Sequence, residues 1–528
     1  MKTKRLQIVI LLGSVLWLAG CANENTSKEE SRQDASSEEL MEFAEENNAP
    51  LSRTLGEYDG TGINFFWTEN DRLWIYNPAA QQKLKQDAKN TINSQLTWTI
   101  RKAATAKFYF EGNYTANSYN VRYTGNGSNA GDKVIIKSVQ TQKAPNDASH
   151  FGESGDCGVA FAQKSGGRYN FTLEHKSAYL TFLPYSSMGG IRGAKIMKIK
   201  IKANKAISGT YTLNDNGITS ANPQNGADSV ALTLKDGFPI PASPTIQDNA
   251  AFMVVAPGTY SKLSVEYTLN DPVTQAKGTI TKDYTNVTLH PGANKRIVYD
   301  FQVPVYNPTF YMWDAQKHFW EGHEGEQVKI PYKIPPTTVG YPKNAADPRW
   351  YNTMSSLGVA THTAKDCIDV NEAMWYVLRG DVHFDNSMFV IWDHLYAGGV
   401  WIKRKAHISG FTSNISPNGL DYRMLDYGDI PMNKRPADIS IINYTKRGKP
   451  ATPSQYFYVP AVGYYWNTGL YVGNVGLFWT KTPVSYAKYG ASHLNTSAYQ
   501  VLFTKDFICV RGDNGVVRYL GCTLSTLQ

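Results

Sequence analysis

The chain has 528 residues, a formal charge of +8 and 42% hydrophobic residues, enough for about three domains of ordinary size. Aromatic residues reach 12%, with 33 tyrosines, while charged residues stop at 19%. That balance suits a sheet-rich extracellular protein better than a helical cytosolic enzyme.

Lys2, Lys4 and Arg5 form a basic start, and residues 6–18 are apolar apart from Gln7, Gly13 and Ser14. The run is too short for a comfortable transmembrane helix and ends in small residues, so residues 1–20 read as a cleaved signal. Leu18-Ala19-Gly20-Cys21 resembles a bacterial lipobox, which implies lipidation of Cys21. Acyl chains hold a protein to a membrane at roughly 0.8 kcal/mol per buried methylene. No second long apolar segment follows, so the expectation is a chain anchored to the outer membrane rather than threaded through it.

Residues 21–53 carry nine acids, Glu42, Glu45 and Glu46 among them, against Lys28, Arg32 and Arg53. Such a stretch buries too little surface to fold alone and reads as a disordered tether or pro-segment. Without residues 1–53 the net charge is +11. A basic exported body is compatible with anionic glycans or cell surfaces, and equally with a solvated lysine-rich face.

Short hydrophobic runs between Gly, Asn, Asp and Pro clusters then predict two β-sandwiches in series, over 54–168 and 169–304. In residues 198–203 the lysines point one way, and Ile199, Ile201 and Ala203 the other. Ala178, Leu180 and Phe182 share a face of another strand. Residues 214–217 make a hairpin turn after the strand at 210–213.

Residues 305–528 hold eight of the twelve tryptophans and one amphipathic helix, with Val370, Ala373, Met374, Val377 and Leu378 on one side. Asp369 and Glu372 predict a capping box, and Gly380 the stop. Glycine-punctuated strands follow at 456–462, 476–480, 498–503 and 507–510, with a hairpin returning through 516–520. The expectation is a compact α+β domain.

Several pieces between residues 53 and 303 resemble the fimbrillin family of Bacteroides-type fimbrial lipoproteins. They are Arg53-Thr54-Leu55 through Asp59-Gly60-Thr61-Gly62, residues 67–73, 173–182 and 207–213, Val255-Ala256-Pro257-Gly258 and His290-Pro291-Gly292. Residues 366–375, 458–464, 473–479 and 511–522 resemble C-type-lectin-like domains, without the Glu-Pro-Asn or Gln-Pro-Asp triplets of calcium-dependent sugar binders. The resemblance implies two transthyretin-like fimbrillin sandwiches followed by the lectin-like domain. It also implies proteolysis after an arginine near the N-terminus, which frees a strand so that a neighbouring subunit's strand can fill the groove. Arg53 is the candidate cleavage site. A folded domain after the second sandwich points to a tip adhesin, partnered by other fimbrillin subunits and by a surface glycan or protein. The alternative is an outer-membrane glycan-binding lipoprotein of a polysaccharide-uptake system, keeping its tether.

No catalytic motif, metal site or cofactor motif is expected, and no nucleic-acid partner. Residues 152–157 lack the strand–elbow–helix context of a serine hydrolase, and His318, Glu321 and His323 lack the spacing of a helical zinc pair. The triplets Arg379-Gly380-Asp381 and Arg511-Gly512-Asp513 fall where glycine is needed for turns. Lectin-like domains commonly tie their first helix to the last strand, which implies Cys367–Cys522, with Cys509 the rival partner. Cys157 is expected to be a small buried thiol. Tyr464, Tyr465 and Trp466 are the ligand-contact candidates, since three adjacent aromatics cannot all point inward.

Overall fold

The computed structural model describes residues 40–45, 55–58, 63–189, 191–219, 222–329, 340–354, 358–436, 442–466, 469–473, 475–485, 496–512 and 517–524. Cys21 and Arg53 lie outside the described residues. The chain is mainly β, in several sheets, and no described helix is long and apolar enough to cross a membrane.

Among the described residues the first sheet has nine strands. One edge half contains Leu84–Gln86, Trp74–Tyr76, Ser118–Tyr123, Gly158–Ser165 and Arg168–Phe171, and the other contains Lys107–Phe110 and Lys89–Asn90. The strand Met41–Glu45 joins the two halves, and the ninth, Glu174–His175, pairs with Gly158–Ser165 off this path. Met41–Glu45 falls inside the stretch expected to be a disordered tether, and over these five residues that stretch is a strand instead. Composition averaged over 21–53 hides the alternation Met41-Glu42-Phe43-Ala44-Glu45, whose apolar side finds an aromatic core waiting for it.

The second sandwich packs a five-stranded sheet on a three-stranded one. Val139–Gln142, Ser229–Ile240, Ile191–Ala203, Gly258–Asn270 and Lys277–Leu289 form the first, in that order. Ala251–Val255, Ala178–Tyr185 and Asn294–Asp300 form the second. The predicted alternation holds in the long strand, with Ile199 and Ile201 fully buried and Lys198 and Lys202 facing water to differing degrees. Ala178–Tyr185 is buried on both faces rather than one. Leu180 and Phe182 enter the sandwich core, while Tyr179 and Leu183 pack on Phe65, Phe151 and Phe252.

The expected boundary at 168/169 cuts the strand Arg168–Phe171 of the first sheet. Residues Val139–Gln142 cross into the second sandwich, pairing in parallel with Ser229–Ile240. Alternation shows that a strand has a buried face, but not which sheet supplies its neighbour.

The C-terminal part is α+β. Helix Val370–Arg379 carries the full capping box, with Asp369 accepting from the Glu372 amide and Glu372 accepting from the Asp369 amide. Among the described residues a four-stranded and a seven-stranded sheet accompany it. Of the return strand expected at 516–520, the described residues show one bridge, from Val517 to Ser497, and then a turn over 518–520, and Gly521–Leu524 pairs with Val475–Pro483 and Tyr464–Trp466. The cause is Arg518, wholly buried, whose guanidinium lies 4.3 Å from the Trp313 ring and donates to the carbonyls of Ser497, Asn352 and Met354. That anchorage turns the segment inward.

The second sandwich and the C-terminal part share a core, for Val390 and Leu395 sit among the sandwich side chains. Asp271, fully buried, accepts from the Leu395 amide at 2.9 Å and pairs with His394 at 3.0 Å. Gly193 donates its amide to the Asp393 carbonyl.

Candidate functional site

Met41–Glu45 runs antiparallel to Lys107–Phe110, with Phe43 opposite Phe108, and parallel to Arg168–Phe171, with Phe43 opposite Tyr169. Its backbone therefore completes the hydrogen bonding of both neighbours, which would otherwise face water or lie unpaired. The side chains alternate as the pleat requires. Phe43 has no exposed surface; it stacks on Tyr169 at 4.7 Å and meets Phe110, Tyr114 and Tyr119 edge-on. Burying one such ring stabilises the sheet by about 1.5–3 kcal/mol.

On the opposite face Glu42 pairs with Lys107 at 3.1 Å and accepts from the Tyr109 hydroxyl at 3.2 Å. Burial and then the Glu42 carboxylate push that hydroxyl's pKa up. The acids that suggested a solvated tether are thus partly spent on contacts within the sheet.

Residues 46–54, including the candidate site Arg53, connect this strand to the hairpin of Leu55–Tyr58 and Ile63–Phe66. That hairpin is anchored elsewhere: Phe65 stacks on His175 at 3.9 Å and shares a cluster with Tyr179 and Phe252. The chain on either side of residues 46–54 is therefore held by different cores, the first strand by one and the hairpin by another.

In the C-terminal part, Gly463 has φ +75, and a Cβ there would overlap the Tyr471 carbonyl. The turn needs glycine, and it launches the strand Tyr464–Trp466. Strand alternation then separates the three ligand-contact candidates. Trp466 is 47% exposed. Tyr464 is half-buried and stacks on Tyr471 at 5.0 Å. Tyr465 is a core residue, fully buried, stacked on Phe319 at 5.4 Å and donating to the Val328 carbonyl at 2.6 Å. Its ring is taken up in packing, where that of Trp466 faces solvent.

Of the expected Cys367–Cys522 pair, both residues are buried. Both cysteines do lie in one apolar cluster with Trp313 and Trp479. Cys509 sits opposite Leu502 and Ile442 on another strand. Cys157 is buried as expected, and burial pushes its thiol up to about 12. The triplet at Arg379 is structural: Asp381 accepts from Lys446 at 2.5 Å and from Tyr456 at 2.6 Å. Asp513 of the second triplet lies outside the described residues.

No family model matches the chain, and no curated protein matches it. Among solved structures, a "putative cell adhesion protein" of Bacteroides ovatus is similar at 12% identity over 50% of this chain and 92% of its own, with a TM-score of 0.30. A second of that description, from Bacteroides fragilis, is 10% identical over 49% of this chain and 92% of its own, with a TM-score of 0.29. A fimbrial protein of Bacteroides ovatus is 10% identical over 91% of this chain and 98% of its own, with a TM-score of 0.24. These scores are too low to assign a common fold.

Proposed function

We propose that this chain is a subunit of a surface fimbria, exported as a lipoprotein and acting by adhesion. In this reading Met41–Glu45 fills the first sheet until cleavage after Arg53 releases it. A strand from a neighbouring subunit then takes its place between Lys107–Phe110 and Arg168–Phe171. The single observation that carries the reading is the position of that strand: interior to the sheet, yet upstream of the candidate cleavage site. Its net backbone hydrogen bonds are worth only about 1 kcal/mol each, so an incoming strand needs an apolar side chain in the Phe43 position.

The lectin-like identity of residues 305–528 and a place at the fimbrial tip belong to the same reading. A second reading, the permanently tethered glycan-capture lipoprotein, is favoured by the depth at which Phe43 is buried.

Mass spectrometry of the surface-exposed protein separates the two. A mature N-terminus at Thr54, with uptake of a labelled strand peptide by the cleaved protein, supports the fimbria. An acylated Cys21 retained on the surface form, or a cleaved sheet that stays closed and takes up no peptide, would overturn it.

A further inference from the structure

A pocket of about 320 Å³ opens in the C-terminal part, away from the first strand. Phe319 and Tyr465 form part of its lining, with Tyr341, Trp350 and Tyr519 around them and Lys343 among the lining residues. Its volume is in the range of small-ligand sites, and its character is that of one: mostly aromatic, with a few polar groups.

The polar groups are left without employment. Lys343 is exposed and makes no hydrogen bond or ion pair among the described residues. Asp347 pairs with Arg349 at 2.7 Å, and Glu326 lies within hydrogen-bond distance of His323 at 3.4 Å. The Tyr341 hydroxyl is buried without a partner, a cost of about 1–3 kcal/mol that a structure retains for a reason. Trp350, half-buried, packs against Tyr351 at 4.9 Å, which limits the motion of the indole.

We propose that this pocket binds a six-membered ring bearing one carboxylate, with the ring face against Trp350 and the acid on Lys343. The negative face of an indole attracts the weakly positive C–H edges of a ring, and a single uncompensated ammonium selects a single anion. Two sources share that chemistry, a uronic acid at the end of a glycan and a free aromatic acid. The glycan source rests on the adhesive half of the function proposed above. Strand uptake by the first sheet is a separate measurement, so either idea can fail alone.

The test is isothermal titration of the full chain with glucuronate, benzoate, glucose and an oligoglutamate peptide. Saturable binding of glucuronate or benzoate is expected, weakened at least tenfold by Lys343→Gln and by raised salt, with glucose at least tenfold weaker. Stronger glucuronate binding assigns the glycan, and stronger benzoate binding assigns the aromatic acid. Lys343 is exposed, so its variant folds; Trp350→Leu, checked for folding by circular dichroism, should also abolish binding. Failure of both acids, glucose binding as well as glucuronate, saturation by the peptide alone, or indifference to Lys343→Gln would each overturn the proposal.

Discussion

The carboxylate of Glu45 accepts a hydrogen bond from the indole N–H of Trp67 at 2.6 Å, with both residues buried. The bond reaches across the candidate cleavage site, from the strand upstream of Arg53 to the body downstream of it. Replacing Glu45 with Ala should cost the uncleaved protein about 1–3 kcal/mol, because the Trp67 N–H is left buried without an acceptor. Phe43→Ala should cost about 3–5 kcal/mol. Urea unfolding of the uncleaved protein checks both. A shift below 0.5 kcal/mol for Phe43→Ala would show that the first strand does not complete the sheet.

The alternation at Tyr464–Trp466 separates packing from contact. Tyr465→Ala should lower stability by about 3–5 kcal/mol through the cavity it leaves among Phe310, Phe319 and Trp320. Trp466→Ala should leave the thermal midpoint within a degree or two. If Trp466 touches the adhesion ligand, that variant alone loses cell binding; unchanged binding to every cell type tested removes Trp466 from consideration.

Asp381 gives the C-terminal part an acid-labile tie. Burial would raise its carboxyl, but Lys446, Tyr456 and His383 outweigh that and hold it at about 2, below the ordinary value of 3.8. A depressed acid adds stability that is fully present above the unfolded value, here about pH 4, and is lost as pH falls toward 2. Solvent screens the partly exposed pair, so the contribution is about 1 kcal/mol or less. Asp381→Asn should therefore flatten the stability profile between pH 4 and 2, measured by denaturant titration at each pH. A slope identical to that of the parent chain would disprove the tie.

Arg518 should resist even conservative replacement. Burial lowers its pKa to about 10, and its guanidinium serves three carbonyls from two separate segments. A lysine offers no planar fork to reach all three. Arg518→Lys should cost about 2 kcal/mol or more, read by thermal unfolding, with loss of protection of the amides near Trp313 in hydrogen exchange. Unaltered exchange there would mean that Trp313 packs independently of the arginine.

Local patterns were readable wherever neighbouring residues decide the outcome. The capping box at Asp369 and Glu372, the split faces of residues 198–203 and the turn before Gly217 all depend on spacing within a few positions. What the sequence concealed was long-range. Met41–Glu45 is short and acid-rich, and its strand character depends on Phe108, Tyr119 and Tyr169, far away in the chain. Arg518 looked like one residue of a hairpin, because nothing local announces a guanidinium stacked on Trp313. Tyr465 could be told from Trp466 by alternation alone, had the phase been fixed; Gly463 and the pairing with Gly521 fix it only in three dimensions.

The side chains of Val390 and Leu395 reach into the sandwich before them, and Asp271 grips His394 from the other side. Turning the C-terminal part against the sandwich must therefore slide packed hydrocarbon and break the hydrogen bonds that Asp271 makes to His394 and Leu395. Neither part can pivot without unpacking side chains of the other, so the junction is a packed seam and not a linker.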